Sequence, residues 1–109
     1  MEIRNLPFAT TDWRTVEAVE HKGHSGSAFW KTVPCGAVRV RMVVYSPDYL
    51  ADHWCSKGHF LLCLEGELRT ELADGRVFTL TPGMSYQVAD GETPHRSLTT
   101  SGATLFIVD

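Results

Sequence analysis

The chain has 109 residues and a mass of 12.1 kDa, enough for one compact domain and too little for two independent hydrophobic cores. With 43% hydrophobic and 21% charged residues, its composition is that of a soluble globular domain and not of a disordered chain. Ten Lys and Arg against thirteen Asp and Glu leave a formal charge of −3 with no basic stripe, which argues against nucleic acid as a partner.

The longest apolar run, Phe60 to Leu64, is too short to cross a bilayer, and no secretory signal precedes residue 20. A cytosolic protein with no membrane partner is expected. Three cysteines, Cys35, Cys55 and Cys63, are too few for a disulfide framework and odd in number, so reduced thiols are expected.

Along the chain the rhythm is β throughout. Residues 1–12 read as an irregular arm whose Thr-Thr-Asp run can cap one helical turn. Val16 to His21 and Ala28 to Val33 read as strands around a polar turn that holds His24. From Ala37 to Tyr45 the pattern alternates, with Val38, Val40, Met42 and Val44 on one face and Arg39, Arg41, Val43 and Tyr45 on the other. The arginine face is expected to be exposed or to lie between subunits; turned inward, it would instead read a small acid bidentately.

Ser46-Pro47-Asp48 turns the chain. Gly58 to Glu65 reads as a buried strand, and Glu67 to Ala73 as one with Leu68, Thr70 and Leu72 inward. Asp74-Gly75 is a strong hairpin signal and predicts a type I′ turn. Strands follow over 76–80, 84–88, 95–99 and 103–108. About eight to ten short strands in so short a chain predict an all-β antiparallel sandwich or small barrel, whose interior holds one ion or one small ligand.

The segment from Asp52 to His59 carries the chemistry. Read as extended chain, it puts His53 and Cys55 on one face and Trp54 on the other, and His59 rejoins the inward face ahead of Leu61 and Cys63. Two imidazoles and a thiol are borderline-soft donors suited to a divalent ion.

His53-x-Cys55, three residues, His59, six residues and Gly66 reproduce the spacing of the first cupin motif, with Cys55 in place of its second His and His59 in place of its Glu. Pro82-Gly83, the strand to Val88, Gly91 and Pro94-His95 match the second motif, and Asp74-Gly75 supplies the hairpin between them. The chain thus resembles the cupin superfamily over about residues 37–108. It is most similar to the small cupins described by an Asp-His-Cys-Trp motif, although here the order is Asp52-His53-Trp54-Cys55.

The resemblance implies a single-domain cupin barrel, a double-stranded β-helix of jelly-roll type. Residues 1–36 would form an N-terminal arm and hairpin packed on a barrel core of residues 37–109. It implies a metal site of His53, Cys55, His59 and His95. The thiolate favours Zn²⁺, and the donor set also admits Fe, Ni or Cu. Arg41, Tyr45, Tyr86 and Gln87 are the candidate ligand-pocket residues, and no catalytic residue is assigned. A small polar molecule and a second copy of the chain, paired through the N-terminal strands, are the implied partners. The implied activities are of oxygenase, isomerase or lyase type. The alternative is a non-catalytic binding or metal-sensing module with a closed structural site.

Overall fold

The computed structural model describes residues 2–109. Its strands are β1 (Val19–Lys22), β2 (Ser27–Cys35), β3 (Val38–Tyr45), β4 (Tyr49–Leu50), β5 (His59–Gly66), β6 (Leu68–Leu72), β7 (Val77–Leu80), β8 (Ser85–Val88), β9 (His95–Thr99) and β10 (Ala103–Val108). They form two antiparallel sheets, one ordered β1-β2-β3-β10-β5-β8 and the other β4-β9-β6-β7. The core between them is built from Val43, Leu61, Cys63, Leu68, Leu80, Leu105 and Ile107. The fold is all-β, and among the described residues no helix is long and apolar enough to cross a membrane.

Strand alternation sets which side chains enter the interior. One inward row of the large sheet runs Arg41, Ile107, Leu61, Tyr86 across β3, β10, β5 and β8. The neighbouring outward row is Lys31, Met42, Phe106, Leu62, Ser85. The face bearing Arg41, Val43 and Tyr45 is therefore inward, opposite to the exposed or inter-subunit placement expected from its charges. Two contacts make this burial tolerable: Arg41 is paired with Asp109 at 2.8 Å, and its guanidinium lies 4.4 Å from the Trp30 ring centre.

The N-terminal arm crosses the outer face of the same sheet. Asp12 caps a single 3-10 turn over Trp13–Thr15, its carboxylate accepting from the Arg14 N–H at 3.1 Å. The Trp13 ring meets Phe106 edge-on at 6.4 Å, and Lys31 Nζ donates to the Trp13 carbonyl at 2.8 Å. The β1–β2 hairpin is part of the six-stranded sheet itself.

The hairpin between β6 and β7 differs from the expected type I′ turn. Only Gly75 has a positive φ, of 97°, whereas a type I′ turn requires Asp74 to have one too. Leu72 N–H reaches the Arg76 carbonyl at 2.8 Å, so the loop has three residues and Gly75 absorbs the extra one. Gly66, the glycine of the first motif, has φ 75°, and a Cβ there would run into the Gly102 carbonyl at the β5–β10 junction.

Candidate metal centre

Two distant stretches of chain build the site. The strap from Ala51 to Gly58 forms no continuous ladder, but backbone bonds fasten it to β9 and the loop before it. Ala51 N–H donates to the Ser97 carbonyl at 3.0 Å, Cys55 N–H to the His95 carbonyl at 2.7 Å, and His95 N–H to the Cys55 carbonyl at 3.0 Å. Gly91 N–H donates to the Ser56 carbonyl at 3.0 Å, and Gly58 N–H to the Asp90 carboxylate at 2.6 Å. A Cβ on Gly58 would stand 2.6 Å from the Asp90 nitrogen, so only glycine lets the two segments approach this closely.

This fastening brings Cys55, His59 and His95 together. One ligand atom from each lies within 4.8 Å of the others; His95 is buried and the other two are half-buried. His95 Nδ1 faces the Thr93 carbonyl at 3.3 Å, so it must carry the proton, and the lone pair is left on Nε2. His59 Nε2 bonds to the Tyr86 hydroxyl at 2.8 Å. The remaining nitrogens, His95 Nε2 and His59 Nδ1, are both buried and have no hydrogen-bond partner. The Lys57 N–H donates to Cys55 Sγ at 3.4 Å.

Burial, with the neighbouring His95 ring adding to it, pushes the His59 pKa down to about 4, so the ring is neutral at physiological pH. Burial also raises the hydroxyls of Tyr86 and Tyr45, which stay protonated. Two rings with unpartnered nitrogens and a thiol supplied with an N–H donor fit a divalent ion. His95 turns its other nitrogen to a backbone carbonyl and His59 to a hydroxyl, and such outer partners fix ring orientation.

Beside the trio lies a buried ion cluster. Arg39 Nε and Nη2 donate to the Asp109 carboxylate at 2.6 and 3.2 Å, and Arg41 Nη2 donates at 2.8 Å. Burial alone would raise the Asp109 pKa; the Arg39 hydrogen bond and the charges of Arg41 and Arg39 outweigh it and hold the group below the usual carboxylate range. A cleft of about 480 Å³ reaches the site from the other side, lined by Thr70, Leu72, Phe78, Tyr86, Val88 and His95 among others. Its volume suits a small organic ligand.

His53 lies outside the trio. Its ring is 75% exposed, and its Nδ1 is bonded to the adjacent Asp52 carboxylate at 2.6 Å. The expectation that it shares a face with Cys55 assumed regular strand alternation, whereas the strap pairs only at the Cys55–His95 bridge. The structure thus assembles three donors where four were expected. Trp54 is partly exposed beneath the Arg96 guanidinium at 4.4 Å. Of the pocket candidates, Arg41 and Tyr45 are buried in the interior, Tyr86 bonds His59, and Gln87 is exposed on the cleft rim.

Asp109, Asp90 and the Thr93 carbonyl escaped the sequence reading. For Asp109 a signal existed: two inward arginines on β3 need a counter-charge, and the end of the neighbouring β10 supplies it. Nothing in the local sequence around Asp90 or Thr93 marks either contact.

No protein-family model matches the chain, and no curated protein matches it either. Solved structures do match in fold. Ectoine synthase from P. lautus aligns at TM-score 0.75 and 17% identity, over 93% of this chain and 76% of that one. An RmlC-like cupin from Shewanella frigidimarina NCIMB 400 aligns at TM-score 0.72 and 16% identity, over 94% and 90%. Fe(II)-HppE with its alternative substrate (S)-1-HPP aligns at TM-score 0.77 and 16% identity, over 99% of this chain and 62% of that one. The chain thus shares the fold of the RmlC-like cupin, and it carries a Cys-His-His cluster able to hold a metal ion.

Proposed function

We propose that the protein is a metal-binding cupin that holds or transforms a small polar molecule at an ion bound by Cys55, His59 and His95. The observation that carries this reading is the pair of buried, unpartnered ring nitrogens, His95 Nε2 and His59 Nδ1, close to the Cys55 thiol. A buried polar atom with no partner is costly, and an ion supplies the partner to both at once. The mixed nitrogen and sulfur donor set favours Zn²⁺, with Fe, Ni and Cu within its range. Fe(II) is the metal named for the HppE structure of the same fold.

Three protein donors leave a coordination position for water or substrate, the arrangement of a catalytic site and not of a closed structural one. A bound ion there would supply Lewis-acid or oxygen-activating chemistry, as an oxygenase, isomerase or lyase requires. The chain's own contribution is positional. Tyr86 fixes the His59 ring, the Thr93 carbonyl fixes the His95 ring, and the Arg39–Asp109–Arg41 cluster, with two guanidinium groups on one side-chain carboxylate, favours an anionic or electron-rich small molecule.

Elemental analysis of protein purified without a polyhistidine tag tests the reading. About one equivalent of a transition metal per chain is expected, together with its loss in His95→Ala. Sub-stoichiometric metal after reconstitution with Zn²⁺, Fe²⁺, Ni²⁺ and Cu²⁺ overturns it. Chelation separates an open site from a structural one, because removing a closed structural ion unfolds the domain.

A further inference from the structure

The two sheets do not close on each other at the β7 and β8 edges, and the cleft lies in that gap. Phe78 stands opposite Thr70 in the β6–β7 ladder, so both point to the interior side of their sheet. Thr70 is 3% exposed, yet Phe78, one strand further out, is 49% exposed. A phenyl ring on an inward face with nothing over it is the wall of an open slot. Leu72, Val88 and Ala89 continue that wall, and Arg76 at its rim is neutralised by Asp74 at 2.8 Å.

The inner end of the slot is polar. Thr70 Oγ1 and His95 Nε2 are buried atoms with no hydrogen-bond partner, and both residues line the cleft. The Tyr86 hydroxyl, which lines it too, is committed to His59 at 2.8 Å. A slot with largely apolar walls, which Gln87 and Glu92 also line, thus ends at a hydroxyl and an imidazole nitrogen that make no close hydrogen bond. Thr70 lies on a different sheet from His59; its hydroxyl stands near that of Tyr86 without a close hydrogen bond, and an ion on the trio alone would not give it one.

We propose that this cleft binds an amphipathic small molecule end-on. Its aromatic or branched aliphatic body lies along Phe78, Leu72 and Val88, and its oxygen-bearing chelating head meets Thr70 Oγ1 and the ion at His95. The proposal rests on the metal reading above and narrows it from a small polar ligand to one with an apolar body. Selectivity follows from the two ends. The head determines whether a compound binds, and the body determines how tightly, because each apolar group moved from water to the slot strengthens binding.

The test uses the Co²⁺-loaded full chain, with absorption of the ion and calorimetry as readouts, and two hydroxamates that differ only in their bodies. Benzohydroxamate is expected to bind at least tenfold more tightly than acetohydroxamate. Phe78→Ala is expected to weaken benzohydroxamate about tenfold and leave acetohydroxamate within about twofold. Thr70→Val, which keeps the side-chain shape, is expected to weaken both about tenfold with little change in the thermal midpoint, since the hydroxyl it removes makes no close hydrogen bond within the fold. If Co²⁺ binds but the two compounds bind equally, Phe78→Ala does not discriminate between them and Thr70→Val leaves both unchanged, the cleft assignment is overturned while the metal reading stands. If Co²⁺ does not bind, both fall.

Discussion

Cys55 and His95 exchange both of their backbone hydrogen bonds, at 2.7 and 3.0 Å, across an isolated antiparallel bridge. Residues directly opposite in such a pair carry their side chains on the same face, so the backbone itself sets thiol and imidazole side by side. The third donor, His59, comes from β5, whose ladder with β8 runs on from His59 opposite Val88. Two of the three donors are therefore preorganised by hydrogen bonds that no side chain makes.

Cys55→Ser should lower metal affinity by about two orders of magnitude with little change in thermal midpoint of the metal-free protein. The hydroxyl is a far poorer donor to a borderline-soft ion, while the bridge depends only on the backbone. Competition titration against a chromogenic chelator reads the affinity and scanning calorimetry the midpoint. An unchanged affinity would remove Cys55 from the site.

The metal-free protein should lose stability as pH falls from about 6.5 toward about 4. His59 is held near 4 in the fold by burial and by His95, whereas its ordinary value is 6.5. The unfolded chain therefore takes up the proton first, and stability is full above the ordinary value and drains away on acidification. The Asp109 carboxylate, held low by its arginines, adds a separate loss only below the usual carboxylate range of about 3.8. Urea midpoints from pH 7.5 to 4.5 for the wild type and His59→Gln check this. The variant should be flatter across that window, and equal slopes would show that the ring is not responsible.

The strands other than the two-residue β4 were legible because each carries its own period, and turns such as Pro82-Gly83 and Ser46-Pro47-Asp48 bound them. The inward face of β5, with His59, Leu61 and Cys63, follows from alternation alone. What alternation could not supply was the path of the strap between β4 and β5. There the chain obeys long-range bonds to β9 and Asp90 in place of a period, and His53 turns away to Asp52. The sense of β3 was hidden for a different reason. Charge argues for an outward Arg41, and only knowledge of Asp109 and Trp30, 68 and 11 positions away in the chain, reverses that argument.

We propose that a second copy of the chain covers the outer face of the six-stranded sheet beside the N-terminal strands. Phe29 and Val44 lie opposite each other there in the β2–β3 ladder, and both are exposed, as is Phe60 further along the face. The Trp13 turn covers Phe106 on this face, while Phe29, Val44 and Phe60 remain open. Exposed apolar side chains grouped on one sheet face in this way mark an association site. Sedimentation equilibrium should give a dimer, and Val44→Lys, which would strand a charge in the interface, should raise its dissociation constant about a hundredfold. A monomeric wild type at micromolar concentration would refute this.

Asp109→Asn should destabilise the domain by about 3 kcal/mol, near the low end of what breaking a buried ion pair costs. The carboxylate is nearly inaccessible and receives three N–H donors from Arg39 and Arg41, and Arg41 is itself buried. Asparagine keeps the shape but leaves two guanidinium groups facing each other without a counter-charge. Arg39, partly open to water, can relax; Arg41, held against Trp30, cannot. The double variant Asp109→Asn with Arg41→Met should therefore recover part of the loss, because it removes the stranded charge and keeps the apolar stem against the ring. Denaturant unfolding of both variants reads the difference. A double variant no more stable than Asp109→Asn alone would show that the lost stability comes from the carboxylate's hydrogen bonds to Arg39 and not from an uncompensated Arg41.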